Sequence, residues 1–139
     1  MNKQKLSMGL LLLFFCQFCL AGSPPPEATE VYFISPQDGD TVSNPVTIRF
    51  GLTGMGVAPA GVDRQGTGHH HLLIDVDQLP DPVLPVPADK HHRHFGGGQT
   101  ETVLELAPGD HSLQLLLGDW MHVPHDPVVT SDKIVITVR

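Results

Sequence analysis

The chain has 139 residues, 40% hydrophobic and 17% charged, with 8 basic residues against 15 acidic ones, 9 histidines and 2 cysteines. That length suits one domain with a core of its own. A formal net charge of −7 makes nucleic acid and anionic membrane surfaces poor partners and favours cations.

Residues 1–21 read as a secretory signal peptide. Lys3 and Lys5 charge its start, Met8 to Phe15 and Phe18 to Leu20 supply an apolar stretch, and Cys19-Leu20-Ala21 offers small residues for cleavage after Ala21. The apolar run is too short and too interrupted for a membrane-spanning helix. Neither Cys16 nor Cys19 follows a small-residue lipobox, so release into a periplasm or the medium is expected, with no membrane span after cleavage. Both cysteines leave with the signal, which removes disulfides, thiolate nucleophiles and thiolate metal ligands from the mature chain. Loss of Lys3 and Lys5 leaves six basic residues against 15 acidic ones, a net charge of −9.

Gly22 to Glu30, with Pro24-Pro25-Pro26, reads as an extended tether, and the domain proper as residues 31–139. Val31 to Ser35 is a first strand, and Pro36-Gln37-Asp38-Gly39-Asp40 a turn. Val46, Ile48, Phe50 and Leu52 alternate with Thr47, Arg49 and Gly51, which predicts a strand with one buried face. Gly54 to Gly68 is a long glycine-rich loop.

Next comes the strand His69 to Asp77. Its pleat places His70, Leu72, Ile74 and Val76 on the core face, and His69, His71, Leu73, Asp75 and Asp77 on the other. His69 and His71 are therefore expected to point outward beside Asp75, as half of a metal site. Four prolines in Gln78 to Lys90 exclude a central strand and predict an ordered loop, which ends in His91-His92-Arg93-His94-Phe95 and three glycines. Thr100 to Leu106 and Ser112 to Leu117, flanking Ala107-Pro108-Gly109-Asp110, read as a hairpin. Gly118 to Pro127 is a second histidine-bearing loop, and Lys133 to Val138 a last strand.

No segment carries a sustained helical period. Six or seven short strands joined by long Pro/Gly/His-rich loops predict an all-β, immunoglobulin-like β-sandwich. Such a fold gathers loops at its ends, so the histidine clusters are expected to converge.

Neutral imidazole binds copper and zinc well. His69, His71 and His94 are the leading ligand candidates, with His122 or His125 completing the set. Asp75, Glu101, Asp119 and Asp126 are candidates to orient them, and Met55 or Met121 to add a thioether favouring copper. Blander readings stand beside these. His70 reads as a hydrogen-bonded core histidine, His111 as a surface residue, and Trp120 as a core or loop plug. His91 and His92 read equally as solvated loop residues, and His122 and His125 equally as loop anchors. No nucleophile elbow, phosphate loop or dinucleotide motif is present, so a binding domain is expected ahead of an enzyme; a hydrolase or dismutase built on the same metal stays open as a third reading, with no nucleophile or base to name.

Several motifs resemble the secreted bacterial domain of unknown function 4399 (DUF4399) family. They are Ser35-Pro36-x-Asp38-Gly39, Gly54-Met55-Gly56-Val57, Gly68-His69-His70-His71-Leu72-Leu73-Ile74-Asp75, His94-Phe95-Gly96-Gly97-Gly98, and Leu115-Leu116-Leu117-Gly118-Asp119 with His122-x-Pro124-His125. The resemblance covers nearly all of the mature chain and implies secretion and a site region, but no function. A weaker likeness, through Ser35-Pro36-x-Asp38-Gly39-x-x-Val42, runs to periplasmic copper carriers of immunoglobulin-like fold. Those carry a histidine near the mature N-terminus, where this chain has Gly22. The expected function is a periplasmic or extracellular domain binding copper or zinc through clustered histidines. The alternative is a non-catalytic module that binds an envelope protein or glycan and uses its His/Gly loops structurally.

Overall fold

A computed structural model describes residues 22–139, so the signal peptide expected at 1–21 lies outside the described residues. Alternation of apolar and polar residues builds nine strands and, among the described residues, no helix. They are β1 (Glu30–Ser35), β2 (Thr41–Val42), β3 (Val46–Thr53), β4 (Gly56–Val57), β5 (Thr67–Ile74), β6 (His92–His94), β7 (Glu101–Leu104), β8 (Gly109–Gly118) and β9 (Ile134–Val138). The count exceeds the expected six or seven because β2, β4 and β6 are pieces of two or three residues, too short to show a period.

The strands form a two-sheet, all-β sandwich. One sheet runs β1-β3-β7; the other runs β2-β9-β8-β5-β4, with β6 also paired to β5. β1, β3 and β7 thus hold the positions of A, B and E in an immunoglobulin-like sandwich, and β5, β8 and β9 those of C, F and G. The chain changes sheet after β1, so that β2 runs parallel to β9. That switch is fixed where Gly39 donates to the Val135 carbonyl and the Asp38 carboxylate accepts the Val135 amide.

The expected Thr100–Leu117 hairpin does not form. β7 pairs with β3 in one sheet, while β8 pairs with β5 and β9 in the other. Both arms bury apolar side chains in one core, but from opposite sides, so the intervening turn is a crossover between layers. The proline-rich segment 22–29 has no strand. Its start is pinned, since Ser23 O accepts a hydrogen bond from His125 Nδ1 at 2.8 Å.

Ile48, Phe50, Leu72, Leu113, Leu115 and Ile136 pack between the layers. The second sheet is also covered on its outer side. There Leu73, Leu116 and Val86 form a small separate core, with Val86 supplied by the proline-rich loop. β5 is consequently buried on both faces from Gly68 to Ile74. It stops at Ile74 rather than running to Asp77, because Asp75 turns the chain with φ of 56°.

This layering makes a direct prediction for urea unfolding. Leu115→Ala is expected to lower stability by about 2–5 kcal/mol, whereas Val103→Ala on the exposed side of β7 should change it by less than about 0.5 kcal/mol.

Candidate metal centre

The pleat does put His69 and His71 on the face of β5 away from the main core, but that face is not open to solvent. Their relative exposures are 0% and 1%. Loops close over them through backbone hydrogen bonds: Val86 N to His122 O at 2.9 Å, Gly61 N to Trp120 O at 2.9 Å and Ala60 N to Gly96 O at 2.8 Å. Three loops expected to be separate in sequence are thereby tied together above β5.

Each remaining ligand candidate is positioned by a different device. β6 pairs antiparallel with β5 and sets His94 directly opposite His71, so the two rings share a face and stack with centroids 5.2 Å apart. His122 comes from the tight turn after β8. There one carboxylate oxygen of Asp119 accepts the amides of Met121 and Val123 at 2.8 and 3.0 Å, and the Asp119 carbonyl accepts His122 N at 3.0 Å. His122 itself sits at φ of 69°, a left-handed conformation costly for a residue with a side chain. Two glycines leave room for the rings. A Cβ at Gly118 would stand 2.7 Å from the His71 ring, and one at Gly96 would collide with His94.

Each of His69, His71, His94 and His122 offers one ring nitrogen such that all four lie within 4.8 Å of one another. Nitrogens arranged tetrahedrally around a metal at about 2.0–2.1 Å stand about 3.4 Å apart, so closing on an ion asks for ångström-scale ring movement. His69 and His71 have no hydrogen-bond partner on either ring nitrogen. His94 is exposed and His122 partly so, which leaves one side of the cluster facing solvent.

His125 stands apart from these four. Its Nδ1 binds Ser23 O, and its Nε2 lies 2.8 Å from where Gly68 would carry a Cβ, beside Leu117. Gly68 and Leu117 are on the main-core side of the sheet, opposite the side of His69. The other histidines are engaged elsewhere. His91 Nδ1 bonds Ile74 O at 2.9 Å, His92 Nδ1 bonds Asp89 at 2.9 Å, and His111 bonds both Asp75 and Ala107 O at 2.8 Å. His111 is thus more than a surface residue. Its two nitrogens face only acceptors, and although burial opposes charge, these contacts raise its pKa. His70 is buried on the core face as expected; burial pushes its pKa down to about 4, and backbone groups of Gln99 and Gly51 oppose that shift without making a close hydrogen bond, while its ring packs on Phe50 with centroids 5.2 Å apart.

The carboxylates expected to orient the ligands divide. Asp75 is taken by His111 and Ser112 N, and Glu101 by Arg49. Asp126 is exposed, while Asp119 is buried in the turn that carries His122. Met55 packs against the main core. Met121 and Trp120 are exposed beside His122, so Trp120 is no plug.

Burial and crowding favour the uncharged forms of His69, His71 and His94. Burial first, then the neighbouring His94 and His122, pushes the His69 pKa down to about 4. Burial, then His69, His94 and His122, pushes that of His71 to about 3. Burial and His122 lower that of His94. Neutral imidazoles are the metal-binding form.

The unfolded chain titrates these residues near 6.5, so it binds more protons than the folded chain at lower pH. Metal-free protein is therefore expected to hold full stability above about pH 6.5 and to lose it as pH falls toward 4, with each buried histidine adding up to about 1.4 kcal/mol per pH unit. Urea midpoints measured across that range check this, and a His69→Gln/His71→Gln double variant should show a shallower loss.

A family model described as "Domain of unknown function (DUF4399)" matches residues 48–139, which include most of β3, all of β4 to β9 and every histidine of the chain. No curated protein and no solved structure matches the chain. With most of its length matched, the chain belongs to the DUF4399 family.

Proposed function

We propose that this protein is a secreted or periplasmic, non-catalytic domain that binds one copper or zinc ion through His69, His71, His94 and His122. The observation that carries this reading is the convergence of four imidazoles with His69 and His71 fully buried and unbonded. A buried polar atom without a partner costs about 1–3 kcal/mol, and a metal ion accepts the lone pairs that the protein leaves unused. All-imidazole coordination suits both copper and zinc.

The alternative, loops braced by hydrogen-bonded histidines for an envelope partner, predicts ring nitrogens bonded to the backbone and to acids. His91, His92, His111 and His125 behave in that way. His69 and His71 do not; nor does the buried His70, but His70 lies on the main-core face, whereas His69 and His71 converge with His94 and His122, and that convergence favours the metal reading.

Calorimetric titration of tag-free protein with zinc or copper(II) should reveal one ion per chain. Free metal at 100 times its Kd should stabilise the fold by about 2.7 kcal/mol. His69→Ala and His94→Ala should abolish that stabilisation, while His92→Ala and His111→Ala should retain it. Absence of binding, or equal losses in all four variants, would contradict the assignment.

A further inference from the structure

The spacing of the four rings tells one coordination geometry from another. The centres of His69, His71, His94 and His122 make six pairs. Five lie between 4.6 and 5.2 Å apart, and His71–His122 is wider at 6.3 Å. A metal about 2.0–2.1 Å from each nitrogen lies about 3.2 Å from each ring centre, so a tetrahedron sets all six pairs about 5.2 Å apart. A square plane sets four pairs about 4.5 Å apart and the two diagonals about 6.4 Å apart.

The observed spacings are those of a tetrahedron with one stretched edge. Closing His71–His122 by about 1.1 Å completes it, and His122 stands on a turn rather than a strand. A square plane with His71 and His122 across one diagonal needs His69 and His94 across the other. That pair is 5.0 Å apart and would have to open by about 1.4 Å. The backbone resists this, because His69 and His71 are buried on β5 and β6 fixes His94 opposite His71 in the ladder.

Copper(II) and nickel(II) favour square or tetragonal sites, whereas zinc(II) has no d-electron preference and is held tetrahedrally in structural sites. Copper(I) prefers sulfur. Met55 lies against the main core and residues 22–139 contain no cysteine, which leaves Met121, next to His122 in the chain, as the remaining sulfur.

We infer that the centre is a structural zinc(II) site, in which His69, His71, His94 and His122 form a closed tetrahedron that copper(II) enters only by distortion. The inference rests on the metal-binding reading above. Four protein ligands leave no position for water or substrate, which is how structural rather than catalytic zinc is held. The ion then cross-links β5, β6 and the turn after β8.

The test reads geometry rather than affinity, because copper(II) binds most nitrogen sites more tightly than zinc(II) whatever their shape. Cobalt(II) added to tag-free, metal-free protein reports its coordination number in the strength of its visible bands. The strong bands of four-coordinate cobalt are expected, lost when one zinc(II) per chain displaces it and unchanged in Met121→Leu. Copper(II) in the same site should give an electron paramagnetic resonance spectrum whose parallel hyperfine splitting is much narrower than that of tetragonal copper. Weak bands of five- or six-coordinate cobalt, a tetragonal copper spectrum, or a sulfur-to-cobalt charge-transfer band that Met121→Leu removes would overturn the zinc assignment and leave the histidine cluster as a site for another ion. Failure of cobalt, zinc and copper alike to bind would overturn the metal reading itself.

Discussion

His69 and His71, two imidazoles that are buried without a hydrogen bond and converge with His94 and His122, set the terms for everything around them. Such groups are costly in a folded domain, and an ordinary edge strand would let them turn to water. β5 cannot, because β8 and β6 flank it, the main core lies beneath it and three loops lie above it. The sandwich therefore holds the pair in place, and the loops bring His94 and His122 to meet it.

The nine histidines sort by what their nitrogens do. Four are joined to carbonyls or carboxylates and brace loops: His91 against the end of β5, His92 against Asp89, His111 against Asp75, and His125 against the start of the described chain. Four others turn nitrogens toward a common point. His70 belongs to neither group; its ring packs on Phe50, which in turn packs on Phe95. An acidic domain with many histidines is thus organised into a brace and a centre, and composition alone does not separate the two.

Much of this was legible in the residues. Alternation along Val46–Leu52 and Leu113–Leu117 marks strands with one inner face, and the pleat of β5 correctly separates His70 from His69 and His71. Pairing partners were less legible. The apolar pattern of β7 and β8 is the same whether they form a hairpin or face each other across a core, so the crossover had no local signature. The burial of His69 and His71 depends on distant loops, and alternation reports only which face a residue takes. His122 and His125 lie three residues apart in an aperiodic turn. The backbone conformation of His122 and the Asp119 bonds decide between them, and neither follows from spacing. Gly118 was the missed clue: extending the alternation of β8 puts it on the side of Leu116, opposite His69, where a side chain would strike His71.

The most direct test of the four-histidine centre is X-ray absorption at the metal edge of untagged protein purified from its native compartment. One copper or zinc per chain is predicted, with a nearest shell dominated by imidazole nitrogen at about 2.0–2.1 Å. Protein that arrives without metal and takes up none on exposure to copper or zinc would contradict the account. So would a shell dominated by sulfur or by oxygen alone.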